Sequence, residues 1–393
     1  MSALKYDWLV VGGGLTGSAL AYELQKTGFK VVLLERHMFP QGATRFSYGG
    51  IPFWSGTTPL TQQLCQEGIE LHRCLSAELE HDTEFRELPL LLTISCSDDP
   101  VAIAGLYANC AVQPMLLGVD AVRQMEPLIN TSYINGAVHF AHAHVNPLAL
   151  LSGYLKGFQT RGGTVVYDTV AKLRLERRRV VGVASVTAEY VAEHVVLCAG
   201  GWTRAMLKET GIACPIYFTH AELLEIDPQA HNLNLQCMVM PAATKRYQLE
   251  ADTANDLLWD SSDQELTLPS VDAGAVQLRD GTIRLGQLSR VLTNPHAGVD
   301  ATQSEKLIRS EAMRILPAIA ALRAVWHRCL VAYSHDGLPL VGKVSQYSGL
   351  HIFSGFTSPM VYVPPLARRF AQHASGNQDE IVAQLLPDRY RSV

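Results

Sequence analysis

The sequence predicts an α/β fold: a Rossmann-like dinucleotide-binding domain interrupted by an inserted α+β domain built on a mostly antiparallel sheet. Three observations predict it. Tyr6 to Arg36 reads as strand, glycine-rich turn, helix and strand. Short apolar runs of the same core-strand type recur at Val195 and Leu350, with unlike material between them. A chain of 393 residues is also more than one hydrophobic core usually serves.

The first element carries the most chemistry. The run from Trp8 to Val11 suits a buried strand, and Gly12, Gly14 and Gly17 then form G-x-G-x-x-G, with Gly13 inside it. Gly12 permits the tight turn, Gly14 lets a pyrophosphate approach the backbone, and Gly17 lets helix and strand pack closely. The helix through Leu15, Ala19, Leu20 and Leu24 presents unpaired N–H groups and positive potential to that phosphate. Leu15 and Thr16 at its start join the glycines as candidate cofactor contacts. The second strand, Val31 to Leu34, ends on Glu35, where a carboxylate accepts hydrogen bonds from a ribose.

Composition narrows the class. Hydrophobic residues make up 48% and charged residues 18%, with a net charge of −5, so no broad attraction to nucleic acid is expected. The cluster Arg177, Arg178, Arg179 reads as the exposed turn of a hairpin. No leader-like N-terminus and no run of about eighteen apolar residues stands in the chain, so neither a signal peptide nor an integral membrane segment is expected. Eight cysteines without metal spacing read as thiols of a reducing compartment, and the expected location is cytoplasmic. His142 and His144 lack a third ligand from any motif, so no metal is expected.

After Glu35 and Arg36 comes a glycine-rich stretch in which Arg45 is the only central cation, suited to a phosphate or a flavin edge, with Thr44 beside it. Thr58 and Pro59 cap a helix to about Glu80. Leu88 to Ile94 is a strand, and helices follow at 100–111 and 119–125. Asn146 caps a helix from Pro147 that Gly162 and Gly163 end. Thr164 to Tyr167, Val170 to Leu175, Val180 to Thr187 and Glu189 to Ala192 give an edge meander. His194 to Trp202 is a core strand ending in Ala199, Gly200, Gly201, where backbone passes close to the same cofactor. A second excursion contains expected strands at Phe218 to Ile226, Cys237 to Met240 and Lys245 to Leu249, then a hairpin about Asp280-Gly281. Thr302 to Leu316 is a helix, Leu350 to Phe353 a core strand, and Leu366 to His373 the final long helix. The expected division is 1–79, 146–211 and 323–393 for the cofactor domain, with 80–145 and 212–322 for the substrate domain.

Together, VVGGGLTGSALAYEL, VVLLER, VVLCAGGW, SHDGLPLVG and IFSGF, in that order, resemble the FAD-dependent D-amino-acid oxidase superfamily, which includes glycine oxidase, sarcosine oxidase and D-amino-acid dehydrogenases. GAVHFAHAHVNPLAL also resembles the family's stretch before a helix. The resemblance spans nearly the whole chain, and DGLPLVG is its more specific motif. It implies a glutathione-reductase-type FAD domain assembled from separated segments. It also implies oxidation of a small primary or secondary amino acid of glycine, sarcosine or D-amino-acid type. A hydride equivalent leaves the amine-bearing carbon for flavin N5, the imine hydrolyses, and oxygen is reduced to hydrogen peroxide. Arg36, Thr44, Arg45, Val170, Ala199, Gly200, Trp202, Asp336, Gly355, Phe356 and Thr357 complete the expected FAD contacts.

The chain departs from the family at informative places. Many relatives carry an arginine five residues before the Asp of the DG motif; here that position is Val331. Arg246, Arg284 and Arg290 are the candidates to hold a substrate carboxylate instead, and Arg45 is expected near the flavin or its substrate as a fixed positive charge that favours the anionic reduced ring. Gly355, Phe356, Thr357, Ser358, Pro359 replace a common Gly-His-Gly. Cys329 stands seven residues before Asp336, where the sarcosine-oxidase branch bonds a cysteine sulfur to the flavin 8α-methyl. Two readings of Cys329 stand side by side: that thioether, activated by His327 and Arg328, and a buried apolar cysteine. Beside the oxidase stand a dehydrogenase that passes electrons to a quinone or carrier, and a non-catalytic FAD-binding subunit. Oligomeric state is left open.

Overall fold

The computed structural model describes residues 6–261 and 263–390. Its first sheet runs Val170–Glu176, Arg179–Ser185, Glu189–Leu197, Tyr6–Val11, Val31–Glu35, Thr164–Tyr167. Leu350–Ser354 joins it parallel to Glu189–Leu197, with Leu340–Lys343 antiparallel at its side. The central strands are parallel. Leu9, Val10, Val32, Leu33, Val195 and Val196 are fully buried, as a parallel sheet covered on both faces requires. The helices Leu15–Lys26, Pro147–Thr160, Pro359–Ala374 and Pro59–Glu78 pack together on one side.

The second sheet runs Val325–Ser334, Ile216–Ile226, Ile283–Arg290, Ser270–Gln277, Met238–Pro241, Leu90–Ser95, Ile134–Phe140, Met115–Leu117. Every pairing is antiparallel except Met238–Pro241 with Leu90–Ser95. Alternate residues divide between two faces. Leu91, Val239, Ala275, Leu224 and Leu285 share one core cluster with Ile308 and Ala312 of the helix Ala301–Ile315. The other face turns toward the first sheet. The predicted architecture, a Rossmann-like domain with an inserted sheet domain, is therefore the one observed. No helix among the described residues is long and apolar enough to cross a membrane.

Val325–Ser334 pairs in unbroken register with Ile216–Ile226, Ile216 against Ser334 and Glu225 against Val325. Two expectations are corrected. The expected strand Lys245 to Leu249 is the start of a helix, Lys245–Thr253. Asp272, distant in sequence, accepts hydrogen bonds from the amides of Lys245 and Arg246 at 2.8 and 3.1 Å and so supplies the missing cap. The last long helix starts at Pro359, not Leu366, and runs through Pro364 and Pro365. Each internal proline removes a ladder hydrogen bond. Burial of Val361, Val363, Leu366 and Phe370 offsets the loss.

Candidate active site

The glycine turn is built by close approach. Gly12 has φ +104°, and a Cβ there would lie 2.7 Å from the Cys198 carbonyl oxygen. A Cβ on Gly17 would lie 1.8 Å from the Gly12 carbonyl oxygen, so the helix presses directly on the turn. Gly14 caps the helix without a side chain, which leaves its N-terminus facing the cavity. Thr44 Oγ1 accepts from the Leu15 amide at 3.0 Å, and Thr16 Oγ1 donates to the Cys198 carbonyl at 3.2 Å. Glu35 Oε2 accepts from the Gly13 amide at 2.6 Å, and Oε1 from the His37 amide at 2.9 Å. Arg36 lies over the Trp202 ring at 4.6 Å.

One cavity of about 1660 Å³ starts from this turn and reaches the second sheet. Gly12, Gly14, Leu15, Thr16, Glu35, Arg36, Thr44, Val170, Ala199, Gly200, Trp202, Cys329, Gly355, Phe356 and Thr357 all line it. Single small-ligand pockets run to roughly 1,000 Å³, so this volume suits a dinucleotide and a second molecule beside it. The bare glycine cradle and the open helix end fit the pyrophosphate of FAD. Glu35 fits its ribose.

Other expected contacts lie elsewhere. Gly17 is beneath the wall, where its role is packing. Asp336 is off the wall: it accepts from the Leu338 amide at 3.0 Å and binds Arg389 through two bonds of 3.0 and 2.9 Å. It fastens the C-terminal turn, while Thr357 Oγ1 donates to the Gly337 carbonyl at 3.1 Å and ties the cavity loop to the same turn.

The arginines separate sharply. Arg45 Nη1 and Nη2 donate to Glu225 at 2.8 and 2.7 Å, so its charge is offset and the guanidinium faces away from the cavity wall. Arg284 is buried against the same Glu225 at 3.3 Å and donates to the Ser47 carbonyl. Arg290 pairs with Glu222 at 2.9 Å. Arg45 and Arg284 thus each meet Glu225, a carboxylate of the strand Ile216–Ile226. Arg246 alone of the four lines the cavity. Its Nε lies 3.3 Å from Glu250, and its terminal nitrogens make no hydrogen bond to a described residue. Glu250 is itself fixed by the Thr219 hydroxyl at 2.9 Å.

Cys329 is buried on the cavity wall, opposite Ala221 in the sheet. Burial pushes its thiol up to about 12, and the nearby Arg246 and Arg284 only partly oppose this. The expected activators are turned to other tasks. Arg328 donates to the Ala297 carbonyl, and His327 stacks on Phe46 at 4.7 Å.

Sequence reasoning missed several wall residues: Tyr48, Trp54, Tyr107, Met240, Asp272 and Gln287. Tyr48 and Trp54 were legible as part of the glycine-rich loop, whereas Tyr107 comes from a turn and Met240, Asp272 and Gln287 from strands whose cavity face only the fold defines. His142 also lines the cavity, and the indole N–H of Trp54 donates to its Nδ1 at 3.1 Å. Indole nitrogen is only a donor, so the His142 proton sits on Nε2. Burial pushes the ring down to about 3 and keeps it neutral.

A cavity that takes a dinucleotide at one end and leaves a walled chamber at the other is the layout of a dinucleotide-dependent oxidoreductase. The chain belongs to the DAO family of FAD dependent oxidoreductases, whose family model matches residues 7–373. Among curated relatives it is 25% identical over 390 residues to the uncharacterized oxidoreductase YurR of Bacillus subtilis (strain 168), covering 95% of this chain and 96% of that one. It is 25% identical over 403 residues to the glycine oxidase of Pseudomonas aeruginosa, covering 94% and 95%. The crystal structure of glycine oxidase from Bacillus cereus ATCC 14579 superposes with a TM-score of 0.78 at 20% identity, covering 99% of both chains, and shares the fold.

Proposed function

We propose that this chain oxidises the C–N bond of a primary or secondary amino acid to the imine, with Arg246 holding the substrate carboxylate and oxygen as electron acceptor. The observation that carries the reading is the position of Arg246: a partly buried guanidinium, its terminal nitrogens bonded to no described residue, on the wall beyond the cofactor cradle. Glycine oxidase among the relatives supports the C–N chemistry. FAD, when bound, would supply the two-electron acceptor that links substrate oxidation to oxygen reduction. The substrate loses a hydride equivalent and a proton, and water converts the imine to a carbonyl with release of ammonia or the amine. This chain's residues bind and orient: Arg246 fixes the carboxylate as a planar fork, and the apolar wall keeps water from the reacting carbon. An amine that arrives neutral needs no protein base, and no triad or carboxylate pair is required. For the domain division we propose 1–79, 146–211 and 335–393 for FAD, with 80–145 and 212–334 for the substrate, the boundary moved to respect the sheet pairing.

Anaerobic mixing with amino acids and N-methyl amino acids is expected to bleach the flavin absorbance, and aerobic turnover to release hydrogen peroxide. Bleaching without peroxide would move the acceptor to a quinone or carrier. No bleaching by any amine would leave a non-catalytic flavin subunit.

FAD is held without a covalent bond in this reading, because the Cys329 thiol stays protonated and thiolate is the nucleophile. Freshly purified, fully loaded protein is therefore expected to release its flavin in acid. Flavin fluorescence that stays with the polypeptide on a denaturing gel, and disappears in Cys329→Ser, would establish the thioether instead.

A further inference from the structure

We propose that the amino acid oxidised here carries an aromatic side chain, which lies on a hydrophobic wall one to two strands away from the strand whose Asp272 caps the Arg246 helix. The inference rests on the function just proposed. It begins with the register of the second sheet. Met238 is paired with Leu90 and Met240 with Leu92, so these four side chains stand on one face, and all four line the cavity. Asp272, which caps the helix carrying Arg246, belongs to the strand next to Met238–Pro241. Neighbouring strands lie about 4.8 Å apart. The two methionines therefore sit about 5 Å from the strand that positions the carboxylate anchor, and the two leucines about 10 Å. Glycine or sarcosine has nothing to cover that span.

Two aromatic rings close the chamber, and both are fixed. Trp54 stacks on Phe140 with centroids 3.9 Å apart at 13°, and Tyr107 meets Trp54 edge-on at 6.1 Å. The Trp54 indole N–H is bonded to His142, and the Tyr107 hydroxyl donates to the Ala242 carbonyl at 2.6 Å. Their polar ends are thus satisfied within the protein, and what they offer a ligand is apolar ring. Thioethers adapt to irregular shapes and favour aromatic partners, and fixed rings favour another ring at their edge or face. A chamber of two thioethers, two leucines and two aromatic rings selects a flat apolar group over a small or charged one.

The test uses the FAD-loaded protein and anaerobic flavin reduction by glycine, sarcosine, leucine and phenylalanine, each chiral amino acid as both enantiomers. One enantiomer of phenylalanine is expected to reduce the flavin with a rate-over-affinity ratio at least tenfold above glycine and above leucine. Met240→Trp, which fills the chamber, is expected to lower the phenylalanine-to-glycine ratio at least tenfold. Met240→Ala, which removes the thioether, is expected to lower it at least threefold and serves if the tryptophan variant does not load FAD. Equal use of glycine and phenylalanine, or a ratio unmoved by either variant, would overturn the aromatic assignment while leaving C–N oxidation standing. Absence of bleaching by every amine would overturn both.

Discussion

Replacing Arg246 with alanine is expected to lower kcat/KM for amino acid substrates by about thirtyfold or more. Removing one partner of a buried, hydrogen-bonded charge pair costs about 2–5 kcal/mol, which is roughly thirtyfold to several thousandfold at about 1.4 kcal/mol per tenfold. The side chain is positioned for this by the helix Lys245–Thr253, whose first amides are held by Asp272. A lysine at 246 keeps the charge but loses the planar fork, so Arg246→Lys should fall between the two. The alanine variant also leaves Glu250 buried without its ion pair, a loss of up to about 3–5 kcal/mol in stability. The double variant Arg246→Met with Glu250→Gln removes both charges and should recover much of that stability without recovering activity. The deciding comparison is an amine of similar size without a carboxylate. Its reduction rate should be the same in wild type and Arg246→Ala; an equal loss for both substrates would remove Arg246 as the anchor.

Substituting Gly17 with alanine should empty the cofactor site. The added Cβ would lie 1.8 Å from the Gly12 carbonyl oxygen and 3.2 Å from the Cys198 side chain. Backbone cannot yield as a flexible side chain does, so the helix Leu15–Lys26 must lift from the turn. Overpacking of this kind destabilises by about 1–3 kcal/mol, occasionally more. Here the displaced element also carries the helix terminus that receives the pyrophosphate. Flavin occupancy, read from the visible absorbance of purified protein and after incubation with excess FAD, is expected to fall below about a tenth of wild type. Gly298→Ala is the matched control, since a Cβ there meets nothing within 4 Å and the residue is off the cavity wall. A Gly17→Ala protein that purifies yellow and fully loaded would show that the close packing is dispensable to cofactor binding.

Arg45 illustrates how the fold supplies a partner that sequence spacing does not reveal. Its sequence setting, a lone cation in a glycine-rich loop beside a dinucleotide motif, points to a phosphate or flavin edge. The fold brings Glu225 to it from a strand 180 residues away, together with Arg284. The ion pair joins the loop to the second sheet.

What the sequence by itself determined was local and repetitive. The strand–turn–helix of the cofactor cradle, Glu35 at the end of the second strand, and the alternation of core strands with unlike inserted material all follow from short-range spacing. Short-range spacing is legible because turns, helix starts and buried strands each impose their own residue pattern. Tertiary structure alone decided which of the four candidate arginines lines the cavity. Arg45, Arg246, Arg284 and Arg290 are equivalent as residues, and they were distinguished by carboxylates contributed from elsewhere in the chain. It also decided that residues 245–253 are helical, since the cap is Asp272 and no signal for it lies nearby in sequence. The apolar wall is of the same kind: Leu90, Leu92, Met238 and Met240 share a face only through strand register, and the fold brings the turns carrying Trp54 and Tyr107 to them. A carboxylate supplied across the fold, or a one-residue shift of register, reverses what a side chain faces without changing the pattern around it.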